Sequence, residues 1–197
     1  IMQLSKDGQK VVGSKKELSC DCLGISGGWT PAVHLFTQSG GKLKFREEDQ
    51  VFIPNTYPSD QLSIGACNGD FTIDLILSNV TKSLKHFFNL KHIEYENTEV
   101  LSSFNKSKRN IWLLPSDKIL GRTKSFIDYQ NDATAKDIKL ALREGFKSIE
   151  HVKRYTTTGM GTDQGKLGNM HALGIISETA EAKMGELGTT TFRPPYT

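Results

Sequence analysis

Apolar and polar positions change their period along this chain, and three regions separate on that basis. From residue 1 to about 90, short apolar runs alternate with glycine turns and end in one long helical pattern. The first run, Leu18-Ser19-Cys20-Asp21-Cys22-Leu23-Gly24-Ile25, reads as a short buried strand that stops at Gly27-Gly28. A second strand-like piece, Lys42 to Ile53, carries Leu43, Phe45, Val51 and Phe52. A third, Gln61 to Ala66, leads through Cys67-Asn68-Gly69-Asp70 into a helix. There Phe71, Leu75, Ile76 or Leu77, Val80, Leu84 and Phe87/Phe88 recur near the helical period. A strand feeding a glycine turn and then a helix is the local unit of a nucleotide-binding α/β domain.

Residues 91 to 124 are polar and irregular and read as a linker, with one apolar word, Ile111-Trp112-Leu113-Leu114-Pro115, that would dock on a neighbouring surface. Beyond them, over residues 125 to 185, the pattern is a small all-α module. Thr134 followed by Asp137 is a capping-box start, and Ile138, Ala141 and Leu142 form the apolar stripe of the first helix. Gly145 is placed to end it. Ile149, Val152 and Tyr155 make the face of a second helix. A glycine-rich loop, Gly159 to Gly168, precedes a third run from Asn169 to about Lys183. Three short helices bury little surface, so such a module needs a cluster, a metal or a host. Residues 186 to 197, with Pro194-Pro195, read as an exposed connection.

Composition narrows the function classes. Apolar residues make up 37% of the chain, and the longest apolar runs fall well short of the ~20 residues that cross a bilayer. No secretory signal pattern opens it, so a cytoplasmic protein without membrane attachment is expected. The 25 basic and 22 acidic residues are mixed, and the net charge of +3 is mild. A nucleic-acid partner is therefore not expected. Lys106-Ser107-Lys108-Arg109 reads as a solvated turn more readily than as a binding patch. Three cysteines, Cys20, Cys22 and Cys67, fit reduced thiols, and the first two sit where a buried strand is expected rather than a metal site. The histidines His34, His86, His92, His151 and His171 show no zinc spacing. His34, after a glycine turn, either packs or meets a cofactor.

The candidate cofactor-binding residues are Gly27 and Gly28, and Gly65, Ala66, Cys67, Asn68, Gly69, Asp70, Phe71 and Thr72. Small residues let a backbone approach a ligand, and the following helix N-terminus offers N–H groups to phosphate or ribityl oxygens. A plain strand-to-helix turn explains the hexapeptide equally well. A Gly-x-Gly-x-x-Gly turn to grip a pyrophosphate is missing, so only part of a dinucleotide site is expected. No nucleophile elbow, P-loop or paired carboxylates stand out, and no catalytic residue or metal ligand is assigned. Thr156-Thr157-Thr158-Gly159-Met160-Gly161 is rich in donors, though a plain turn between helices accounts for it as well.

Three long words, SGGWTPAVHLFTQSGGKL at 26–43, IDYQNDATAKDI at 127–138 and HVKRYTTTGMGTDQGK at 151–166, resemble an internal segment of the alpha (large) subunit of heterotetrameric sarcosine oxidase. The resemblance implies the C-terminal part of an NAD/FAD-type dinucleotide-binding α/β domain over 1–90. It implies a module over 125–185 similar to bacterioferritin-associated-ferredoxin-like domains, and a connection over 186–197 to a folate-binding domain. In those ferredoxin-like modules, four cysteines hold a two-iron, two-sulfur cluster. The equivalent positions here are Asp128, Gln130, Asp163 and Gly168, which cannot replace four thiolates, so no iron–sulfur cluster is expected. The family further implies beta, gamma and delta partner subunits, NAD on this domain, FAD and FMN mainly on the beta subunit, and tetrahydrofolate on the folate domain. Lys153, Arg154, Thr156 and Gln164 would then lie near the flavin, whose phosphate suits Arg and Lys. The implied reaction is oxidative demethylation of sarcosine to glycine, with the segment alone inactive. Two other readings stay open: a non-catalytic adaptor or assembly module, and a subunit of a related opine or amino-acid dehydrogenase.

Overall fold

The computed structural model of the chain describes residues 1–58, 60–90, 110–116 and 124–193. They form a mixed α/β structure with three separate two-stranded antiparallel sheets. The residues divide into two compact units. One is built on Ile1–Gly28 and Ile111–Thr190, the other on Trp29–Asn110 joined by the short stretch after Thr190. None of the helices among the described residues is long and apolar enough to cross a membrane.

In the first unit, β1 (Gln3–Leu4) pairs with β2 (Val11–Val12). The strand expected over Leu18–Ile25 is not formed. Leu18, Leu23 and Ile25 are 67 to 86% exposed, and Cys20 and Cys22 are exposed too. An extended segment becomes a strand by exchanging hydrogen bonds with a neighbour, and its apolar content alone supplies none. The helical module keeps its expected order and gains a hairpin. Strand β5 (Phe126–Asp128) pairs with β6 (Ala133–Thr134). Helix α3 (Ala135–Arg143) follows, then α4 (Ile149–Thr156), α5 (Asn169–Ala180) and the short α6 (Met184–Leu187).

The boundaries of these helices follow local chemistry. At the start of α3, the backbone N–H and hydroxyl of Thr134 both donate to the Asp137 carboxylate, at 2.8 and 2.7 Å. Gly145, at φ +96°, lets the chain turn left-handed after α3. Ile138, Ala141, Val152, Leu173, Ile175 and Ile176 are at most 1% exposed and form the core. Helix α5 is buried over five consecutive residues, Ala172 to Ile176, as a central helix should be. Trp112 from the apolar word lies across Gly174 of this helix. A Cβ at 174 would overlap the indole, so glycine is what lets the ring in.

The second unit begins with α1 (His34–Gln38), whose Phe36 is buried edge-on to Tyr57 at 4.9 Å between ring centres. The single strand-like piece expected over Lys42–Ile53 is instead a hairpin, β3 (Lys42–Arg46) with β4 (Val51–Thr56). Val51, Phe52 and Ile53 are all buried, and Phe52 faces Phe45 across the ladder with ring centres 5.0 Å apart. No strand forms over 61–64; a 3-10 turn at Gly65–Asn68 leads to α2 (Ile73–Phe87). The expected helix is therefore present without the strand that should feed it. No residue of α2 is fully buried, and Ile73 and Leu75 are about half exposed.

Candidate functional site

Two places in the chain bring candidate residues together, one in each unit. In the second unit, the turn Gly65–Asn68 is closed by Gly69 at φ +82°. The Arg46 guanidinium donates to the Gly69 carbonyl at 2.8 Å and also pairs with Asp49. A Cβ at 69 would lie 2.6 Å from that guanidinium and 2.9 Å from Ile53. Close packing on the β3–β4 hairpin thus demands glycine there, independently of any ligand. The Cys67 thiol is engaged with the Ile64 carbonyl at 3.1 Å, and the Asp70 N–H donates to the Gly65 carbonyl at 3.2 Å.

Asp70 is the unusual member of this turn. It is 7% exposed, and one of its carboxylate oxygens is buried without a hydrogen-bond partner in the protein. Such an oxygen calls for a donor, because an unsatisfied buried acceptor costs roughly 1–3 kcal/mol. Thr72 occupies the N-cap position of α2 without a side-chain capping bond, and Asp74 sits in the first turn. A carboxylate there already complements the positive helix end and opposes a second anion. Asp70 and Asp74 make the start of this helix acidic, a setting that suits a hydroxyl or amine donor better than a second anion. Phe71 and Thr72 are half-buried. Gly27 and Gly28 belong to the other unit, in an exposed stretch where Gly28 takes φ +104°. His34 packs edge-on to Phe192 at 5.6 Å, and His171 edge-on to Trp112 at 5.9 Å. His92 and the basic tetrad 106–109 lie outside the described residues.

The helical module gathers the four positions singled out as former cluster ligands. Asp128, Gln130, Asp163 and Gly168, with Ile127, Tyr129 and Leu167, line one hollow of about 40 Å³. That is space for a few water molecules at most. The carboxylates around it are occupied by N–H donors. Asp128 Oδ1 accepts from the N–H groups of Gln130 (2.8 Å) and Asn131 (3.1 Å). Its Oδ2 accepts from the Asn131 side-chain amide (3.1 Å) and the Gly159 N–H (2.7 Å). Asp163 accepts from Gly165 at 3.2 Å and Leu167 at 3.3 Å. Burial alone would raise the Asp128 pKa. The Asn131 amide and the Gly159, Asn131 and Gln130 N–H groups outweigh it and hold the carboxyl below its ordinary value of 3.8. Gly168 has no room for a side chain, since a Cβ there would lie 2.5 Å from the Ile127 carbonyl oxygen. Among the described residues, no group of three or more His, Cys, Asp or Glu side chains is arranged to hold a metal.

The candidates for flavin contact divide. Thr156 is turned inward. Its hydroxyl donates to the Val152 carbonyl and shares a 2.8 Å bond with the Thr158 hydroxyl. The Gln164 amide donates to the Gly161 carbonyl within its own loop. Lys153 lines an interior hollow with Ile138, Val152, Thr158 and Thr190. Arg154 keeps its guanidinium largely exposed, 3.5 Å from Glu150. Sequence reasoning missed Arg46, Asn131 and Asn169. Asn131 had a usable signal, because an aspartate followed by polar turn residues commonly folds back on its own backbone.

Comparison with known proteins places these features in a family context. Residues 122–197 match the sarcosine oxidase A3 domain. Over 94% of its length, the chain is 34% identical to the sarcosine oxidase alpha subunit of Rhizobium meliloti (strain 1021), of which it spans 19%. Over all of its length, it is 31% identical to the sarcosine oxidase alpha subunit of Corynebacterium sp. (strain P-1), spanning 21% of it. A shorter match, 32% of the chain at 34% identity, is to 14% of an opine oxidase subunit of Rhizobium meliloti. The chain thus spans about a fifth of the sarcosine oxidase subunits it matches. Among solved structures, L-proline dehydrogenase from P. horikoshii aligns over 84% of this chain and 35% of its own, with 19% identity and a TM-score of 0.49.

Proposed function

We propose, from the chain's homology to sarcosine oxidase alpha subunits along nearly all of its length, that it is part of a flavin-dependent complex that oxidises an amine. The observation that carries this reading is that the homology runs through both compact units rather than one. The finer reading is oxidative demethylation of sarcosine to glycine. The one-carbon unit goes to tetrahydrofolate and the electrons to oxygen, with beta, gamma and delta subunits as partners in the cytoplasm. The flavins, FAD and FMN, supply the hydride-accepting chemistry when bound on the beta subunit. This chain supplies part of a dinucleotide-binding domain within residues 1–90 and a cluster-less helical module over 125–185, joined by the linker 91–124. Residues 186–197 continue toward a folate-binding domain.

Within that scheme, the Gly65–Thr72 turn is the contact with NAD. The contact is a ribose hydroxyl donating to Asp70, and it needs the turn to part, because the unpartnered oxygen is buried. Arg46 holds the turn in shape from behind through Gly69. Arg154, with its guanidinium exposed, and Lys153 beside it on α4 are the residues of the module retained for flavin phosphate.

The rival reading, a non-catalytic assembly module, draws on one observation: both carboxylates of the former cluster hollow are engaged by N–H groups, four on Asp128 and two on Asp163. The complete complex assayed for peroxide with sarcosine, proline and opines separates the two. Sarcosine-dependent peroxide supports the oxidase reading, preference for proline or an opine moves it to a related dehydrogenase, and no turnover with any of them leaves the assembly role.

A further inference from the structure

The loop from Gly159 to Gly168 is held in place without an apolar anchor. Its two large apolar side chains, Met160 and Leu167, are 44% and 74% exposed. The loop positions that are buried, 159, 165 and 168, are glycines. What ties the loop to its surroundings is polar, and most of it comes from the β5–β6 hairpin. Asp128 Oδ2 takes the Gly159 N–H at 2.7 Å. The Gln130 amide donates to the Thr162 hydroxyl at 2.7 Å, and its oxygen accepts the Asp163 N–H at 3.4 Å.

Two further features suit movement of the loop as a unit. It is internally bonded: Asp163 accepts from Gly165 and Leu167, and the Gln164 amide reaches the Gly161 carbonyl. The chain also reverses at its entry, where Thr157 takes φ +58° and Gly159 φ +71°. The loop covers a polar floor. The Asn169 side chain lies against Gly159 and Gly165, close enough that a Cβ at either would overlap it, and donates to the buried Thr190 hydroxyl at 3.1 Å. The core of α3 and α5, by contrast, rests on Ile138, Leu173, Ile175 and Ile176, which owe nothing to these bonds.

We propose that the Gly159–Gly168 loop is a latch closed by the Asp128 carboxylate, able to open and uncover Asn169 and Thr190 while the helical core stays folded. Elements held by few apolar contacts open locally at a free energy well below that of global unfolding.

Amide hydrogen exchange on the full 197-residue chain, wild type against Asp128→Ala, tests this. Exchange at Gly159 and over 162–167 should accelerate by about tenfold or more, the loss expected for a hydrogen bond to a charged group. Amides of Ile138 and Ile176 should keep their wild-type rates. Unchanged loop rates would show that the loop is held by something else. A uniform acceleration through α3 and α5 would make Asp128 a general stabiliser, and either result overturns the proposal. If Asp128→Ala does not fold, Gln130→Ala removes the two remaining hairpin ties from an exposed position. It should give the same local pattern with a smaller rise, and a nil or uniform response would again overturn the latch.

Discussion

Asp128 shows how one residue can couple pH to fold. Its carboxyl is held below its ordinary 3.8 because four donors favour the charged form more strongly than burial opposes it. A carboxyl with a lowered folded pKa contributes stability that is fully present above the unfolded value and is lost as pH falls through the folded one. Charged groups on the segments around it include Asp132 and Asp137 on the hairpin side and Asp163 and Lys166 in the loop. Chemical denaturation from pH 7 downward should therefore show a constant gap between wild type and Asp128→Asn until about pH 4. The gap should then close in more acidic buffer. A gap that persists unchanged well below about pH 3 would mean that shape, not charge, carries the effect. Gly168 makes a steric case of the same kind. Its φ of −103° suits any residue, yet a Cβ would press on the Ile127 carbonyl. Gly168→Ala should destabilise by about 1–3 kcal/mol, read from the denaturant midpoint. A neutral substitution would show that β5 can move aside.

At the scale of elements, what could be read in the sequence is what is determined locally. The start of α3 was legible because Thr134 and Asp137 are three residues apart and satisfy each other. Its end was legible because Gly145 follows the last apolar position, and α4 followed from its stripe of Ile149, Val152 and Tyr155. Asp137→Ala should lower stability by about 1 kcal/mol, the usual value of such a cap, measured by urea unfolding. Asp137→Glu, restoring the commoner capping residue, should recover most of it. The hairpin β3–β4 was missed although Glu47-Glu48-Asp49-Gln50, a polar break between Phe45 and Val51, marked its turn. The strand over Leu18–Ile25 failed for a deeper reason. Apolar residues favour burial, but only a partner strand decides whether they are buried, and residues 18–25 carry no information about one. The bond from Asp128 to Gly159 spans 31 positions and was equally out of reach.

At the scale of the whole molecule, the question is what a chain of this kind can bind by itself. A dinucleotide presents a doubly charged pyrophosphate, and tight binding needs backbone N–H groups aimed at it, usually from Gly-x-Gly-x-x-Gly at a helix start. No such sequence occurs in these 197 residues. The one candidate turn in the described part of the second unit opens α2 with Asp70 just before the helix and Asp74 in its first turn. Those acidic groups repel the pyrophosphate at the place where the fold would otherwise attract it. Under the proposed function, the contact left is a hydroxyl to Asp70. Isolated hydrogen bonds of that kind contribute about 1–3 kcal/mol, far less than the ~8 kcal/mol that micromolar affinity requires. Calorimetric titration of the 197-residue chain with NAD should therefore show no saturation at micromolar ligand. Asp70→Ala should leave the protein folded and remove what weak binding is seen at millimolar ligand. A micromolar or tighter Kd would mean that the phosphates find donors elsewhere in the chain, and the acidic turn would then not govern binding.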